Sequence, residues 1–526
     1  MIGTLALVRL ALRRDRLLLP VWILVIAGAV AGTALAVAAL YPGMTQRIAL
    51  GASIGSSPAL QAITGPVYDA TSVGGLTAWR ATTITAVLAA LMNILLVTRH
   101  TRAEEESGRA ELVGACAVGR HALPSAALVV TGGTNLLIAL LLMAALTGQG
   151  LPASGALAFG LGIAGTGWVF AGAAAVTAQL TEHARTANGL AMAVLGLAFL
   201  LRAAGDAAGV EALSWASPLA WAHRVRAFAG ERWWVIGLAA VTGLALVAVA
   251  AALTGRRDFG AGALPPRRGP ADAPPYLGSP LGLAWRLHRG GVLGWTAGFA
   301  VMGALFGALA QSAGQIVRDN PQLAAILDQL GGEGVLTDTF LSTVLGMMGL
   351  VAGGFAVQAV LRLESEESDL RAEQVLGTAV PRSRWAVSHL LMAFTGAAVM
   401  LTTAGAAVGL AHGIRIGEPG EVARLAAAAW VQVPAVWVTA GLAMLLYGLL
   451  PRLTALAWAA LVAFALLGQL GEVLQLPEWI QGLSPYAHLP QAPGGELRAV
   501  PLMWLTALAV ALCGAGVAAF RRRDLK

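Results

Sequence analysis

Long apolar runs recur along the whole chain and are separated by short polar segments. Each run has about 20 residues, the length that a helix needs to cross a hydrocarbon core of about 30 Å. Because strands are much shorter than these runs, their length favours helices. The pattern predicts an all-α integral membrane protein with about twelve transmembrane helices. The predicted spans are roughly 17–40, 79–98, 123–147, 155–180, 187–204, 233–254, 292–313, 339–361, 386–411, 426–447, 453–470 and 500–520.

The composition supports a place in the lipid bilayer and argues against nucleic-acid binding. Of 526 residues, 57% are hydrophobic and 12% are charged, whereas soluble domains carry about 25% charged residues. The 34 Lys and Arg residues lie mainly in short loops and form no long basic run. An even number of spans puts both termini on one side, which also holds most of the basic residues. The positive-inside rule therefore predicts a plasma-membrane protein with cytoplasmic N- and C-termini.

A Pro-rich stretch near the middle of the chain predicts a boundary between two halves. Residues 262–280 are rich in proline, and such a composition is typical of a linker. We therefore predict a first six-span unit at 1–261, a cytoplasmic linker at 262–280 and a second six-span unit at 281–526.

Short motifs recur in the same order in both halves, which predicts an internal repeat. Because each unit has an even number of spans, the two repeats would be parallel. The alignment places one inserted residue in the second half, directly before Arg371. The paired motifs are Arg13-x-x-Arg16 with Arg286-x-x-Arg289, Glu105-Glu106-Ser107 with Glu366-Glu367-Ser368, Arg120 with Arg382, Leu213-Ser214 with Leu483-Ser484, and Arg256-Arg257-Asp258 with Arg522-Arg523-Asp524.

Residues 3–16 have the pattern of an amphipathic helix lying on the membrane surface. A charged flank of the first span is the alternative. In the second half, Arg286 and Arg289 predict a second surface helix. In the first half, the charged face holds Arg9, Arg13 and Arg16, and the apolar face holds Leu5, Val8 and Leu12.

Two Glu-rich segments are the most informative polar feature. The first covers residues 99–121 and the second covers residues 362–384. Each lies at one end of a predicted span and continues into a short helix-forming stretch, so each could dock a cytosolic partner, with charges setting the register. A solvated charge run is the alternative. The candidate docking residues are Glu104, Glu105, Glu106, Arg109, Glu111, Glu364, Glu366, Glu367, Arg371 and Glu373.

The chain lacks the motifs of several enzyme classes. Its single lysine is Lys526, so no Gly-Lys-Ser/Thr phosphate-binding loop can occur. The eight histidines are scattered and form no zinc motif. We therefore predict no catalytic residue, no metal site and no cofactor bound by this chain.

A few polar residues in or near spans are candidates for a translocation path or an outer gate, because such groups are costly in lipid. An interfacial anchor is the alternative for each. Arg202 and Asp206 have helical spacing and are predicted to pair. The candidate path residues are Asn93, Gln358, Gln432, Gln469 and Glu472.

Taken together, the surface helix, the Glu-rich segments and six spans per unit resemble ABC-2 type exporter permeases. The two fused units with Arg-Arg-Asp ends resemble actinobacterial antibiotic exporters of the tetronasin-resistance type. The resemblance implies a separate cytosolic P-loop ATPase in two copies per chain, which would bind ATP and Mg. It also implies coupling helices at about Glu104–Ala115 and Glu364–Leu376, and export of a hydrophobic small molecule.

Two other functions are compatible with the spans. A proton- or ion-coupled secondary drug transporter also has twelve spans in two parallel halves, but it needs ionisable groups deep in the membrane. A membrane scaffold or immunity protein would confer resistance without transport. An ATP-driven drug exporter with its ATPase on another chain is the function that the sequence favours.

Overall fold

The computed structural model describes residues 3–55, 58–116, 118–258, 260–264, 272–318, 333–470 and 477–524. Every regular element among these residues is helical, as expected for an all-α membrane protein. The chain divides into two compact units, Met1–Gly269 and Pro270–Lys526. Each unit has its own apolar core.

Unit 1 consists of six long helices and several short ones. A short helix precedes the first long one, and short helices also fill the connections at both ends of the bundle. The helices are α1 Thr4–Arg14, α2 Leu18–Leu40, α3 Met44–Gly55, α4 Pro58–Thr64, α5 Val73–His100, α6 Arg102–Glu106, α7 Arg109–Gly114, α8 Ala122–Thr147, α9 Ala153–Leu180, α10 Ala184–Ala208, α11 Glu211–Trp215, α12 Pro218–Arg224 and α13 Trp233–Arg256.

Unit 2 repeats this alternation of long and short helices with fewer interruptions. Two 3-10 turns, Pro275–Gly278 and Pro485–His488, lie outside the long helices. The α-helices are α14 Pro280–Arg318, α15 Glu333–Ser368, α16 Arg371–Leu376, α17 Arg382–Ile416, α18 Glu421–Trp430, α19 Val433–Leu449, α20 Leu456–Leu470, α21 Glu478–Gln481 and α22 Ala499–Arg522.

Eleven helical stretches of the described residues are long and apolar enough to cross a membrane, and one of them, Glu421–Leu449, consists of α18 and α19 together. They fall on eleven of the predicted spans. The remaining prediction, 453–470, falls on α20, whose apolar part Leu456–Leu467 is shorter than the others. The least accurate start is that of α14, which begins at Pro280 rather than near 292. Ser279 caps this helix, since its hydroxyl accepts a bond from Gly282 N at 3.1 Å.

Glycine allows the long helices to approach one another closely, as in many membrane bundles. In unit 1, a Cβ on Gly160 of α9 would lie 2.6 Å from the main-chain oxygen of Ala139 on α8. In unit 2, a Cβ on Gly448 of α19 would lie 2.3 Å from the oxygen of Gly516 on α22. Neither position has room for a side chain, so the backbones themselves are in contact there.

The predicted surface helix exists as α1, but its packed face differs from the predicted one. Leu7 and Ala11 are buried, and the cluster that contains Leu7 also includes Ala122 and Ala126 of α8. Leu5 and Leu12 are exposed. The sequence pattern could not distinguish the two faces, because Leu7 and Ala11 are apolar as well as Leu5, Val8 and Leu12. Arg9, Arg13 and Arg16 are exposed, and a position on the membrane surface stays a prediction.

The prediction of a separate second surface helix is wrong for the described residues. Arg286 and Arg289 are exposed in the first turns of α14, which runs without a break. In unit 1 the chain leaves the helix at residues 15–17, where Asp15 is buried. The corresponding residue in unit 2 is His288, which lies 3.0 Å from His389 of α17 within a continuous helix.

Candidate functional site

Each Glu-rich segment folds into a helix end, a left-handed turn and a six-residue helix. In unit 1 the turn residue is Gly108 with φ 71°, and in unit 2 it is Leu370 with φ 59°. Glycine adopts this conformation freely, whereas other residues pay roughly 1–2 kcal/mol. The following helix, α7 or α16, is anchored by one buried alanine, Ala110 or Ala372. The same geometry therefore holds both segments.

One acidic residue of each segment, Glu104 or Glu366, closes the turn. The Arg109 guanidinium donates to Glu104 at 3.0 Å, and Arg371 donates to Glu366 at 3.0 Å. These bonds raise the pKa of both arginines above its ordinary value. Glu366 also accepts a bond from Arg362 at 3.1 Å. Both carboxylates therefore serve the segment's own fold.

The next acidic residue, Glu105 or Glu367, joins its segment to the end of the last long helix of its unit. Glu105 accepts two bonds from Arg257, just after α13, at 2.5 and 2.8 Å. Glu367 pairs with Arg523, just after α22, and accepts a bond from Tyr447 at 2.7 Å. We call these two arrangements the clamps. Both carboxylates are nearly fully buried, so the clamps lie away from water.

Neighbouring residues complete each clamp. Arg102, whose side chain is fully buried, donates to Glu105 at 2.5 Å. Arg257 also donates to the side chain of Gln179 at 2.6 Å. Arg120 donates to the main-chain oxygen of Arg257, as Arg382 donates to that of Arg523. Each clamp thus also holds the start of the third span of its unit.

These contacts correct the register of the predicted alignment. Glu104 has the contacts of Glu366, and Glu105 has those of Glu367, one position away from the motif match. With this pairing, the separation along the chain from Glu105 to Arg120 equals that from Glu367 to Arg382. The inserted residue before Arg371 is therefore unnecessary. The sequence match was misleading because Glu-Glu-Ser occurs in both segments, whereas side-chain partners distinguish adjacent glutamates.

The predicted docking residues separate into an internal group and an exposed group. The internal group makes the ion pairs described above and consists of Glu104, Glu105, Glu366 and Glu367. Glu364 is half-buried. Leu112 and Leu370 are also exposed, at 75% and 57%, although sequence analysis did not select them. The exposed surfaces, which we call the tips, are Glu106, Arg109, Glu111 and Leu112 in unit 1, and Asp369, Leu370, Arg371 and Glu373 in unit 2.

Helix α1 is attached to the base of the first Glu-rich segment. Asp15 is fully buried, pairs with His100 at the end of α5, and lies 3.2 Å from Arg99. Arg14 pairs with Glu104. Nothing in the sequence indicates the Asp15 contact, because an acidic residue among arginines ordinarily indicates a solvated surface. A displacement of this segment would therefore also act on α1.

Two of the predicted path residues have partners of their own. Asn93 of α5 and Asn135 of α8 exchange side-chain bonds at 2.9 and 3.0 Å, and both are buried. Gln358 is exposed and accepts a bond from the Trp295 indole at 3.0 Å. These contacts satisfy the side-chain amide of Asn93 and the amide oxygen of Gln358 without a substrate. Glu472 and the side chain of Gln469 lie outside the described residues.

Gln432 is different, because it lies against a cavity in unit 2. The side chain is buried, and its amide oxygen has no hydrogen-bond partner. The residue sits at the two-residue break between α18 and α19. Among the predicted path residues that the structure describes, it has the least satisfied polar group.

The predicted pair between Arg202 and Asp206 is confirmed, with a distance of 3.4 Å. Arg202 also donates to the main-chain oxygen of Ala62 at 2.9 Å, and Ser214 donates to Asp206 at 2.7 Å. His223 nearby is buried, and burial followed by the charge of Arg202 lowers its pKa well below the ordinary value. The cluster joins α10 to α4 and α11, which indicates a structural role.

Comparison with known proteins finds similarity over both units. Residues 277–521 match the family model described as the C-terminal domain of the multidrug efflux system permease Rv1217c. The multidrug efflux system permease protein Rv1217c of Mycobacterium tuberculosis is 44% identical over 526 residues. That alignment covers 100% of this chain and 95% of the relative.

Proposed function

This chain belongs to the family of the multidrug efflux permease Rv1217c, and we propose that it is the membrane subunit of an ATP-driven exporter. Family membership and the long apolar helices make it a multi-pass drug-exporting permease. The ATP-driven mechanism, an ABC-2 type subunit of the tetronasin-resistance kind, is our proposal. So are a plasma-membrane location with cytoplasmic termini and a hydrophobic antibiotic or drug as substrate.

The two tips carry this proposal. Each is a short exposed helix, and each is held by a buried clamp. Each tip also carries more acidic than basic residues, so a partner of complementary charge would present a basic cleft. Two such tips fit two copies of one cytosolic ATPase.

The ATPase would have to be a separate polypeptide. A P-loop needs Gly-Lys followed by Ser or Thr, and the sole lysine of this chain is Lys526. We propose that the partner binds ATP and Mg, while this chain supplies the path for the drug. The chain itself would then carry no enzymatic activity.

The clamps suggest how a movement of the ATPase would reach the membrane. A force on α7 would act on Glu105 through the intervening turn. Glu105 would transmit it to Arg257 and thereby to the end of α13. Glu367 and Arg523 would do the same for α22. Buried ion pairs are suited to this role because breaking one is costly, about 3–5 kcal/mol.

Co-purification tests the proposal. The chain would be purified in mild detergent from its native membrane, and co-eluting proteins would be identified by mass spectrometry. We expect a P-loop ATPase at about two copies per chain. In the double variant Glu111→Arg with Glu373→Arg we expect at least a tenfold loss of bound ATPase, since like charges would face each other across the interface.

A control is Glu496→Arg, which makes one such substitution at an exposed residue away from the tips. It should retain the ATPase. If the intact wild-type permease brings down no ATPase, the proposal fails. Efflux that then collapses with the proton gradient while ATP is present would indicate the secondary transporter. Among the described residues, Asp206 and Glu421 are paired with Arg202 and Arg424, which does not favour that alternative.

A further inference from the structure

A groove runs along unit 1 between α8 and α13. Both helices pack against α9 but make few contacts with each other among the described residues, so the floor of the groove is formed by Ala175 of α9. The groove has a volume of about 340 Å³. Of the apolar stretch of α13, only 22% is buried, which indicates that this helix lies at the periphery of its unit. The groove is therefore accessible to a molecule that approaches within the bilayer.

The wall that α13 contributes to the groove consists of small, mainly apolar side chains. Val247, Ala250, Ala251 and Thr254 line it, and their spacing puts them on one face of the helix. The Thr254 hydroxyl donates to the main-chain oxygen of Ala250 at 2.8 Å. From Val247 to Thr254 the wall extends roughly 10 Å at the rise of an α-helix, within the hydrocarbon depth of one leaflet, about 15 Å. The groove therefore has the chemistry and the length of a site for an acyl chain.

The end of the groove at the start of α8 is basic. Arg120 and His121 line it there, and both are exposed. Arg120 donates to the main-chain oxygen of Arg257, but a guanidinium has five donors, so this bond alone does not saturate it. None of the described residues that line the groove is Asp or Glu. The exposed charges of Arg256 and Asp258 offset each other, which leaves the mouth of the groove positive.

The corresponding place in unit 2 holds aromatic side chains. When the two units are aligned by their clamps, Thr254 corresponds to Phe520. Phe520 is fully buried, and its ring lies 5.8 Å from that of Trp385 and 5.3 Å from that of Tyr447. The open groove of unit 1 thus depends on its small residues, and not only on the arrangement of its helices.

We propose that this groove binds an anionic phospholipid, with one acyl chain between α8 and α13 and the phosphate at Arg120. An anionic headgroup is favoured because a zwitterionic lipid brings a cation of its own to the basic mouth. A lipid is favoured over a free anion because the apolar wall stabilises only a molecule that has a chain to bury. With the cytoplasmic termini that we propose, the site faces the inner leaflet, whose surface is anionic. Binding of the lipid needs neither the ATPase nor the drug.

Native mass spectrometry of the full-length permease, stripped of lipid in detergent, tests the proposal. Phosphatidylglycerol and phosphatidylcholine with the same acyl chains would be titrated separately, and the affinity for the first bound lipid would be measured. The wild-type protein should bind phosphatidylglycerol about fivefold more tightly, as expected for one basic residue at the headgroup. Inorganic phosphate in excess should not displace it. Displacement by phosphate, or equal affinity for the two lipids, would overturn the proposal.

Substitutions at the mouth test the role of charge. Arg120→Gln should reduce the preference for phosphatidylglycerol to less than twofold, and Arg120→Lys should restore it because the charge returns. A general loss of fold would weaken both lipids alike and leave their ratio unchanged. Arg185→Gln removes the same charge from an exposed residue at the start of α10 and should keep the wild-type preference. Equal changes in Arg120→Gln and Arg185→Gln would mean that lipids respond only to overall charge, which would overturn the proposal.

A substitution in the wall tests the place of the acyl chain. Ala251→Phe fills the groove and should weaken both lipids about tenfold, because the chain loses the apolar surface that it buries. Ala252→Phe makes the same change at the next residue, which is exposed on a different face of α13, and it should bind both lipids as the wild type does. Equal losses in the two variants would contradict a site in the groove. Because no ATPase is present, either outcome leaves the proposal of ATP coupling unaffected.

Discussion

Glu105 and Glu367 have the appearance of surface charges in the sequence, because each lies in a run of acidic and basic residues. In the structure each is nearly fully buried and bonded to an arginine at the end of its unit. Sequence spacing could not show this, since Arg257 is separated from Glu105 by more than half of unit 1. The repeated Arg-Arg-Asp motif is visible in the sequence, but its pairing with Glu105 and Glu367 is not.

The clamp of unit 1 predicts a large effect of one substitution on stability. In Glu105→Gln, the buried guanidinium groups of Arg102 and Arg257 lose their counter-charge. Breaking a buried pair in this way costs about 3–5 kcal/mol. We expect the detergent-solubilised protein to unfold at a temperature several degrees lower, measured by size-exclusion chromatography after heating.

Glu111→Gln is the matched control for this prediction, because Glu111 belongs to the same segment and is exposed. It should unfold within about one degree of the wild type, as most surface substitutions do. Equal unfolding temperatures for the two variants would mean that the clamp does not stabilise the fold.

At the scale of helices, the apolar runs predicted the long elements well and the short ones poorly. Run length is a direct consequence of bilayer thickness, so most span positions followed from the sequence. The short helices α3, α4, α11 and α12 depend on contacts with their neighbours. The break at Gln432 had a visible signal in Pro434, although the apolar run continues through it.

The contact between α5 and α8 predicts strong coupling of two substitutions. Asn93→Leu leaves the buried amide of Asn135 without its partner, and we expect a loss of about 1–2 kcal/mol in the free energy of unfolding. Asn135→Leu should have a similar effect. The double variant should be less destabilised than the two losses combined, because both polar groups are then removed together.

A double-mutant cycle measures this coupling, with unfolding followed in mixed detergent micelles. Gln358→Leu and Asn93→Leu form the control cycle, because Gln358 lies in the other unit and binds Trp295. That pair should be additive within about 0.5 kcal/mol. Additivity of the Asn93 and Asn135 variants would contradict a shared amide pair.

At the scale of the whole chain, the two units share the central arginine contacts of the clamps and yet present unequal tips. The linker prediction rests on composition and the repeat prediction on short motifs, and both stay predictions. When the two units are aligned by these contacts, Leu112 corresponds to Gln374 and Gly108 corresponds to Leu370. Each tip therefore exposes one leucine, but at a different position. The motif match already pairs Leu112 with Gln374, and the contacts correct only the register of the acidic residues before the turn.

Unequal tips predict unequal binding of two identical ATPase copies. Leu112→Ser removes an apolar side chain that docking would bury, and burial of leucine contributes about 1.5–3 kcal/mol. We expect the affinity at the unit 1 tip to fall about tenfold. Gln374→Ser, at the matching position of unit 2, should change affinity less than twofold. Titration of purified ATPase onto the permease in nanodiscs, fitted with two sites, measures both. Equal losses in the two variants would show that the ATPase contacts this position alike in both units, and the asymmetry would then have no role in docking.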